Sequence, residues 1–356
     1  MSGSPTAERS QGAGPQSLAW IDAARIAAIV AVIAIHTVAS LLAQRALPQS
    51  WWFGNLVDSA SRWSVPAFVM LSGSLLLRAD SANDPISFYR RRFLRILPPL
   101  IVWSAVYLIY GHFNANNPRT LADAVAYVLA GRPYFHLYFL YLIAGLYLVA
   151  PFLRPLVALP GRRVLTIAVV VLLAMAMVDD LLVVWGRTGG VNAVTRFVPY
   201  TGFFLAGALL SGMPSSRGRI VTAACVAALG VIATAVGTDL LLANIGFGKG
   251  FYLYEYLSVT TVPTSLAVFL LFAWSAPQLD GIAARLPRRT LSVLAGSTLG
   301  IYVVHPLVMQ GLGAIGLGIR SFFVPLAFVA CVLATFAVSL AIVLLLRQVP
   351  GIRRIV

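Results

Sequence analysis

Long apolar stretches separated by short polar segments run from residue 18 to residue 346. About 20 apolar residues are what an α-helix needs to cross the hydrocarbon core of a bilayer. The pattern therefore predicts an all-α, polytopic membrane protein with about ten transmembrane helices and no internal repeat. The predicted spans are residues 18–42, 56–77, 95–110, 134–153, 164–185, 196–212, 219–242, 253–275, 293–316 and 321–346.

The two ends of the chain differ from this apolar body. Residues 1–17 are small and polar, so they are predicted to form a disordered cytoplasmic tail. The run that starts at Leu18 is too long for a signal-peptide core and predicts a retained transmembrane helix. Residues 347–356 are predicted to be a second cytoplasmic tail, which leaves 18–346 as one membrane domain with no soluble domain attached.

Composition supports the bilayer as the solvent. The chain is 60% hydrophobic and only 10% charged, with a mean hydropathy of +0.88, whereas soluble domains carry about 25% charged residues. Too few polar side chains exist to cover a water-facing surface, which excludes a soluble enzyme, a disordered chain and a secreted disulfide scaffold. Both cysteines lie in apolar runs, so neither a disulfide nor a metal site is expected.

The net charge of +15 carries information about orientation. Basic residues concentrate in cytoplasmic loops of membrane proteins. If the N-terminus is cytoplasmic, roughly twice as many arginines and lysines fall on the inside as on the outside. The bias predicts that both termini are cytoplasmic. It also accounts for the charge without a nucleic-acid partner, so the expected partner is the lipid bilayer.

The first predicted span holds two ionisable residues, Arg25 and His36, and such groups at membrane depth usually mark function. Eleven residues correspond to about three helical turns plus 20°, so the two share one face about 16 Å apart. Asp22, three residues before Arg25, could hold its guanidinium. Two structural alternatives stay open: Arg25 can extend to the interface, and His36 can form an interhelical hydrogen bond.

Other polar residues near the predicted spans are scarce. His136 opens the fourth span and His305 lies in the ninth, where a structural and a functional role are equally compatible with the pattern. Glu255 opens the eighth span and is the best candidate for a carboxylate that orients a histidine or an acceptor hydroxyl. The alternative for Glu255 is a rim position in an aromatic belt. Asp58 and Arg62 are four residues apart and are predicted to pair.

The segment FYRRRFLRILPP places Arg90, Arg91, Arg92 and Arg95 at the cytoplasmic mouth of the third span. Such a cluster can anchor the helix to anionic lipid. A guanidinium also matches phosphate oxygens, and four arginines in six residues exceed what orientation requires. The segment is therefore interpreted as a phosphate-binding cluster.

The run VPAFVMLSGSLLL places Ser72, Gly73 and Ser74 within the second span. Small residues let helices approach closely, so packing is the default interpretation. The same residues could instead leave room for a thin ligand arm.

Five motifs in order now resemble a known family. They are Arg-x10-His in the first span and the runs VPAFVMLSGSLLL, YRRRFLRILPP, HLYFLYLIAGLYLVAPFLRP and STLGIYVVHPL. Together, over about residues 18–346, they resemble the integral-membrane acyltransferase family 3, the O-acyltransferases of bacterial sugars. The resemblance implies a multi-pass protein of the bacterial inner membrane that takes acyl-CoA, most often acetyl-CoA, and a carbohydrate hydroxyl. The chain looks most like stand-alone members that modify exopolysaccharide or lipid-linked sugar units.

The resemblance also assigns roles. Arg25 and His36 match the family's essential first-span pair, Ser72-Gly73 its serine-glycine step, Arg90, Arg91 and Arg95 its RRxxR pattern, and Tyr302 with His305 its late YxxH motif. The resulting expectation has three groups: catalytic residues His36, Arg25 and Glu255; donor-binding residues Arg90, Arg91, Arg95, Ser72 and Gly73; and acceptor-binding residues His136, Tyr302 and His305.

The chemistry expected of these residues is acyl transfer without a metal. The arginines would hold the phosphates of acetyl-CoA, whose pantetheine arm is about as long as the Arg25–His36 spacing, and His36 would act as general base. A covalent acyl-histidine is a second route. Two other classes compete: a transporter or flippase of a sugar or lipid-linked saccharide, and a lipid-modifying acyltransferase of another fold. Transport is disfavoured because no repeat is visible and only Asp22 is an acidic residue near a deep position.

Overall fold

The computed structural model describes residues 19–43, 45, 47–77, 84–114, 120–186, 190–285, 287 and 290–356, so the predicted tail 1–17 lies outside the described residues. Within them the chain forms thirteen α-helices and no strand, which confirms the all-α prediction. The helices are α1 (Ala19–Leu42), α2 (Pro48–Ser61), α3 (Ser64–Leu76), α4 (Pro85–Phe113), α5 (Leu121–Leu129), α6 (Tyr138–Ala158), α7 (Arg163–Gly186), α8 (Thr201–Leu210), α9 (Arg217–Ile245), α10 (Thr261–Trp274), α11 (Ala276–Ala283), α12 (Thr290–Ala314) and α13 (Val324–Leu346).

Seven of the described helices are long and apolar enough to cross a membrane: α1, α4, α6, α7, α9, α12 and α13. The pair α10 and α11 passes the same test as one span bent by 54°. The predicted spans 56–77 and 196–212 are not single long helices. The first is divided at Arg62 and Trp63 into α2 and α3, and the second contains the ten-residue α8. The protein is therefore polytopic as predicted, and its described residues form seven full-length spans, or eight with the bent pair, against the predicted ten.

The short helices α3 and α8 pack against each other inside the bundle. At 1.5 Å per residue they are about 20 Å and 15 Å long, which is too short for a hydrocarbon core of about 30 Å. A Cβ atom added to Gly73 would lie 1.8 Å from the Phe204 carbonyl oxygen, and one added to Gly207 would lie 1.9 Å from the Met70 carbonyl oxygen. The helices thus touch backbone to backbone. Short elements are tolerated at membrane depth where protein rather than lipid surrounds them.

A side-chain cap sets the start of α4, which hydropathy placed too late. The third span was predicted from residue 95, but α4 begins at Pro85, because the Asp84 side chain accepts a hydrogen bond from Ser87 N–H at 2.9 Å and proline suits the first helical position. The arginine segment therefore lies within a helix.

The fourth and eighth spans also begin later than predicted. α6 begins at Tyr138, so His136 lies in the turn before it. α10 begins at Thr261, whose N–H donates to the Ser258 hydroxyl at 3.2 Å. Glu255 consequently lies in the loop before α10 and does not open a membrane span.

The bundle has two chemically distinct ends, joined through its centre by α1. α1 packs against α2, α3, α12 and α13, and most of its residues are buried. At the end that we call the basic end, Arg95 of α4 lies close enough to Arg25 and to Arg347 to interact electrostatically. The other end, called the histidine end, contains the last turns of α1 and the segments 130–137, 190–200 and 255–257. The basic end is the one that the sequence predicts to be cytoplasmic.

Residues 347–356 fold back on the basic end. The Trp103 indole N–H of α4 donates to the Ile355 carbonyl oxygen at 2.8 Å, and Val356 is buried. The segment that the sequence described as a tail is therefore attached to the membrane domain.

Candidate active site

Three histidines from distant parts of the chain meet near the histidine end. The His36 ring of α1 stacks on the His305 ring of α12, with centroids 5.4 Å apart and planes 22° apart. The His136 ring lies 5.5 Å from His305 and nearly perpendicular to it. The Tyr302 hydroxyl donates a hydrogen bond to the His136 carbonyl oxygen. Four of the residues predicted from the sequence thus form one cluster.

Backbone contacts fix the tautomer of His305. Its Nδ1 atom lies 2.8 Å from the Tyr302 carbonyl oxygen and 3.3 Å from that of Ile301. A carbonyl oxygen can only accept, so Nδ1 carries the proton of the neutral ring, and the lone pair is on Nε2. Nε2 is buried and has no hydrogen-bond partner among the described residues. The ring beneath His36 is therefore held in one orientation with a free basic nitrogen.

Among the described histidines of this cluster, His36 is the one that borders a cavity. His36 is half-buried, whereas His136 and His305 are 2% and 0% exposed. His36 borders a cavity of about 590 Å³ formed by the ends of α1 and α12 and the segment 316–321. The polar lining of this cavity also includes Thr37, Ser40, Gln310, Arg320 and Ser321. His36 is thus the histidine that a ligand can reach, and His136, Tyr302 and His305 form the layer behind it.

A second, larger cavity of about 1000 Å³ lies at the same end of the bundle. Phe135 lines it, and the Phe135 ring lies 4.8 Å from the His36 ring. The other polar and aromatic lining residues include Arg132, Arg196, Asp179, Asp180, Glu255, Tyr127, Tyr134, Tyr138, Tyr200 and Tyr256. Phe135 therefore connects this cavity to His36.

Glu255 belongs to the wall of the large cavity. Asp180 and Arg62 lie close enough to interact with it electrostatically, while the ring contacts of His36 are with Phe135 and His305. Glu255 is accessible to solvent, yet the surrounding protein desolvates it enough to raise the pKa of its carboxyl, against the lowering effect of Arg62. Of the two roles expected for Glu255, the position fits the orientation of an acceptor hydroxyl.

The predicted Asp58–Arg62 pair is confirmed. The guanidinium binds both carboxylate oxygens, with Nη2 to Oδ1 at 2.8 Å. The same guanidinium lies over the Tyr254 and Tyr256 rings, at 4.7 Å and 5.7 Å from their centroids. Arg62 therefore ties the loop that carries Glu255 to the bend between α2 and α3.

At the basic end, Arg25 joins a group of arginines. Its Nη1 atom lies 3.7 Å from the Asp22 carboxylate, which confirms the predicted pair. Arg92 and Arg95 of α4 also lie within electrostatic range of Arg25. Since Arg25 and His36 are about 16 Å apart along α1, the helix links the arginine group to the histidine cluster.

The arginines of the FYRRRFLR segment point in different directions. Arg95 borders a small cavity at the basic end. Arg90 borders an apolar groove on the outer surface of α4, and Arg91 is exposed. The structure therefore brings only part of the predicted donor-binding set towards Arg25.

The serine-glycine step in α3 is a packing contact. The Ser72 hydroxyl donates to the Phe68 carbonyl oxygen of its own helix at 2.9 Å, and Gly73 meets the backbone of α8. The structure supports the packing interpretation of these two residues.

Several residues of the site were missed by the sequence. Tyr107 stacks on Tyr134 at 4.4 Å, lies edge-on to His136 at 4.8 Å, and donates to the Val303 carbonyl oxygen at 2.7 Å. The dense aromatic run around His136 was the available signal. Arg154, which donates to the Leu76 carbonyl oxygen at 3.0 Å, lies within electrostatic range of Arg92 and was not among the predicted site residues.

Among the described residues, no group of three or more His, Cys, Asp or Glu side chains is arranged to hold a metal ion. The histidine cluster is a stack of rings against aromatic neighbours. Imidazole rings in such a cluster can transfer protons and form hydrogen bonds.

Comparison with known proteins identifies the family. A family profile described as an acyltransferase domain, that of acyltransferase family 3, matches residues 18–344. Neither the curated proteins nor the solved structures gave a match. The match covers nearly the whole described chain, including both cavities and both ends of the bundle. The chain therefore belongs to acyltransferase family 3, and it is a membrane acyltransferase.

Proposed function

We propose that this protein moves an acyl group, acetyl in view of the family, from cytoplasmic acyl-CoA to a hydroxyl of a cell-envelope or exopolysaccharide sugar in the bacterial cytoplasmic membrane. One observation carries the proposal. A single helix, α1, places a cation among arginines at one end and an accessible imidazole between two cavities at the other.

The basic end suits the donor. Acyl-CoA has an anionic nucleotide and a long, thin pantetheine arm. Arg25, Arg92 and Arg95 are guanidinium groups grouped at one end of α1, and guanidinium forks bind phosphate oxygens well. A nucleotide bound there would leave the thioester to reach His36, about 16 Å further along the helix.

His36 is proposed to act as general base. The neutral imidazole accepts the proton of the acceptor hydroxyl while that oxygen attacks the thioester carbonyl carbon. The ester C–O bond forms, and the C–S bond breaks with its electron pair on sulfur. The imidazolium then returns the proton to the thiolate. His36 is neutral again, and the products are the ester and the CoA thiol.

His305 and Tyr302 are proposed to position this base rather than to bind the acceptor. His305 is fully buried and stacks on His36. Its hydrogen bonds to backbone carbonyls lock the ring, and Tyr302 holds the turn that carries His136. Because the His305 ring is fixed, it limits the rotamers that His36 can adopt. General-base catalysis requires such a limit, since the base must stay aligned with the hydroxyl from which it takes a proton.

The larger cavity is proposed to receive the sugar. Its volume of about 1000 Å³ lies at the upper end of the range for ligand sites of about 300–1,000 Å³. Tyrosine rings offer apolar faces and hydroxyls, and Glu255 and Asp180 offer acceptors for sugar hydroxyls. Phe135 at its edge brings this space next to His36.

Transfer can be tested with the purified protein in proteoliposomes that contain acetyl-CoA on one side and envelope glycans on the other. The expected result is release of free CoA thiol together with ester-linked acetyl on the glycan, both dependent on the acceptor. A transporter or flippase would leave the CoA thioester intact. Absence of thioester cleavage with every acyl-CoA and glycan tried would contradict the proposed function.

The pH dependence of acceptor use tests the role of Glu255. Because its pKa is raised, Glu255 gains a proton at a higher pH than an ordinary glutamate does. The carboxylate that accepts a hydrogen bond from a sugar hydroxyl is then lost as pH falls through that raised pKa. The KM for the acceptor should therefore rise about ten-fold on the acid side, because about that factor corresponds to the loss of one hydrogen bond to a charged group.

The Glu255→Gln variant should remove this acid limb and keep a high acceptor KM at all pH values. Asp180→Asn serves as the comparison, because Asp180 faces the same space. If the limb persists in Glu255→Gln and disappears in Asp180→Asn, the titrating group is Asp180 and the role given to Glu255 is wrong.

A further inference from the structure

A small cavity at the basic end is lined by four arginines, of which only Arg95 belongs to the FYRRRFLR segment. Its volume is about 190 Å³. The other three, Arg347, Arg353 and Arg354, come from the end of α13 and the segment after it. The sequence assigned them to a cytoplasmic tail with no role beyond orientation.

These arginines are held in place from both sides. Arg347 donates to the Gly296 carbonyl oxygen at 2.6 Å and to the Ser297 hydroxyl at 3.1 Å, both at the start of α12. On the far side, the Trp103 indole N–H binds the Ile355 carbonyl oxygen. A glycine at φ +92°, Gly351, makes the turn between these two anchors. These two anchors therefore hold Arg353 and Arg354 next to Arg95.

Positive charge is in excess in this cavity. The ion pairs among the described residues involve Arg25, Arg45 and Arg62, and none involves the four arginines of the cavity. The carboxylate of Val356, which also lines the cavity, is one negative charge against these four guanidinium groups. Arg347 and Arg95 are close enough to repel each other. Grouped like charges cost free energy unless an anion binds between them. The excess of positive charge therefore favours a bound anion.

Size and charge narrow the choice of anion. A cavity of about 190 Å³ is below the about 300–1,000 Å³ of sites that enclose a whole organic ligand, so it takes a single group. Phosphate oxygens match guanidinium forks. A terminal phosphate monoester carries about −1.5 to −2 charges at neutral pH, whereas the phosphodiester of a lipid headgroup carries one. Four guanidinium groups against one carboxylate favour the monoester, which carries the larger charge.

We infer that this cavity binds the 3′-phosphate monoester of the acyl-CoA donor, an inference that rests on the proposed function. Arg347 is the fixed wall, and Arg353 and Arg354 close over the phosphate opposite Arg95. Arg25 and Arg92 then stay available for the pyrophosphate on the side towards α1. The segment after α13 is, on this basis, part of the donor site.

The double variant Arg353→Gln/Arg354→Gln tests the inference, with acetyl-CoA and acetyl-3′-dephospho-CoA as donors. Both arginines are exposed, so the variant should fold. We expect the KM for acetyl-CoA to rise about ten-fold, because the variant loses charge-assisted hydrogen bonds to the phosphate. The kcat should stay unchanged. The KM for the dephospho donor should change less than about two-fold, since that donor has no group for the cavity to hold.

The matched control is Arg163→Gln/Arg217→Gln, which removes two exposed arginines from helix starts that the sequence predicts to be on the same side. It should leave the ratio of the two KM values as in the wild type. An equal rise in both KM values for the Arg353/Arg354 variant would assign these arginines to general attraction or to the pyrophosphate, and would overturn the inference.

Direct binding separates this inference from the proposed function. Calorimetry on the wild type in neutral-lipid nanodiscs should show tighter binding of adenosine 3′,5′-bisphosphate than of ADP, and the Arg353/Arg354 variant should lose the difference. If the wild type transfers no acyl group, the proposed function fails while this measurement still reports on the cavity. If the variant instead loses retained phosphatidylglycerol in native mass spectrometry and keeps the nucleotide preference, the cavity binds a lipid headgroup and the inference is wrong.

Discussion

Replacement of His36 by alanine should lower kcat for acyl transfer by about 10²–10⁴-fold, the usual contribution of a positioned general base. His36 is the accessible imidazole of the cluster and lies between the two cavities through its contact with Phe135. Without it, the acceptor hydroxyl loses the accessible base that takes its proton. Donor KM should change little, because the basic end is about 16 Å away along α1. Steady-state transfer with purified protein measures both.

His112→Ala is the matched control. His112 is exposed at the end of α4 and lies outside the histidine cluster, so its replacement should leave kcat within about two-fold. Both proteins should extract and elute from size exclusion like the wild type. If His36→Ala keeps its rate while His305→Ala loses it, the base is the buried Nε2 of His305, and the role given to His36 is wrong.

The helix α1 of the candidate site was predictable from the sequence, because its apolar length and its helical repeat are both local properties of the chain. The apolar pattern of residues 18–42 defined α1 to within one residue, and the helical repeat placed Arg25 and His36 on one face. The Asp22–Arg25 and Asp58–Arg62 pairs followed from local spacing alone.

The rest depends on contacts between distant segments. Hydropathy cannot distinguish a lipid-facing span from a short helix buried in protein, so α8 was predicted as a membrane span. It also gives no signal for a turn such as the one that brings His136 beside His305. From the sequence, the arginines after α13 belong to a tail that only orients the protein. The structure attaches their segment to the bundle through a hydrogen bond from Trp103, which lies 252 residues earlier in the chain than its partner Ile355. A contact over such a distance leaves no local signal in the sequence.

Replacement of Gly73 by alanine should destabilise the folded protein strongly, although the change is a single methyl group. The new Cβ would lie 1.8 Å from the Phe204 carbonyl oxygen, and a backbone atom cannot swing aside as a side chain can. The α3–α8 pair would have to separate, at a cost of about 1–3 kcal/mol or more. Thermal unfolding in detergent should show a lower midpoint. A donor-binding role for Gly73 predicts instead a raised acyl-CoA KM with unchanged stability.

Gly311→Ala is the matched control, since an added Cβ on this glycine of α12 meets no atom within 4 Å. Its midpoint should stay at or above that of the wild type, because alanine is the better helix former.

Gly207 makes the reciprocal contact, with its added Cβ 1.9 Å from the Met70 carbonyl oxygen. Once one substitution has pushed the helices apart, the second meets an open gap. Gly73→Ala and Gly207→Ala together should therefore cost clearly less than the sum of the two single variants. Strict additivity would mean that the two glycines do not share one helix contact.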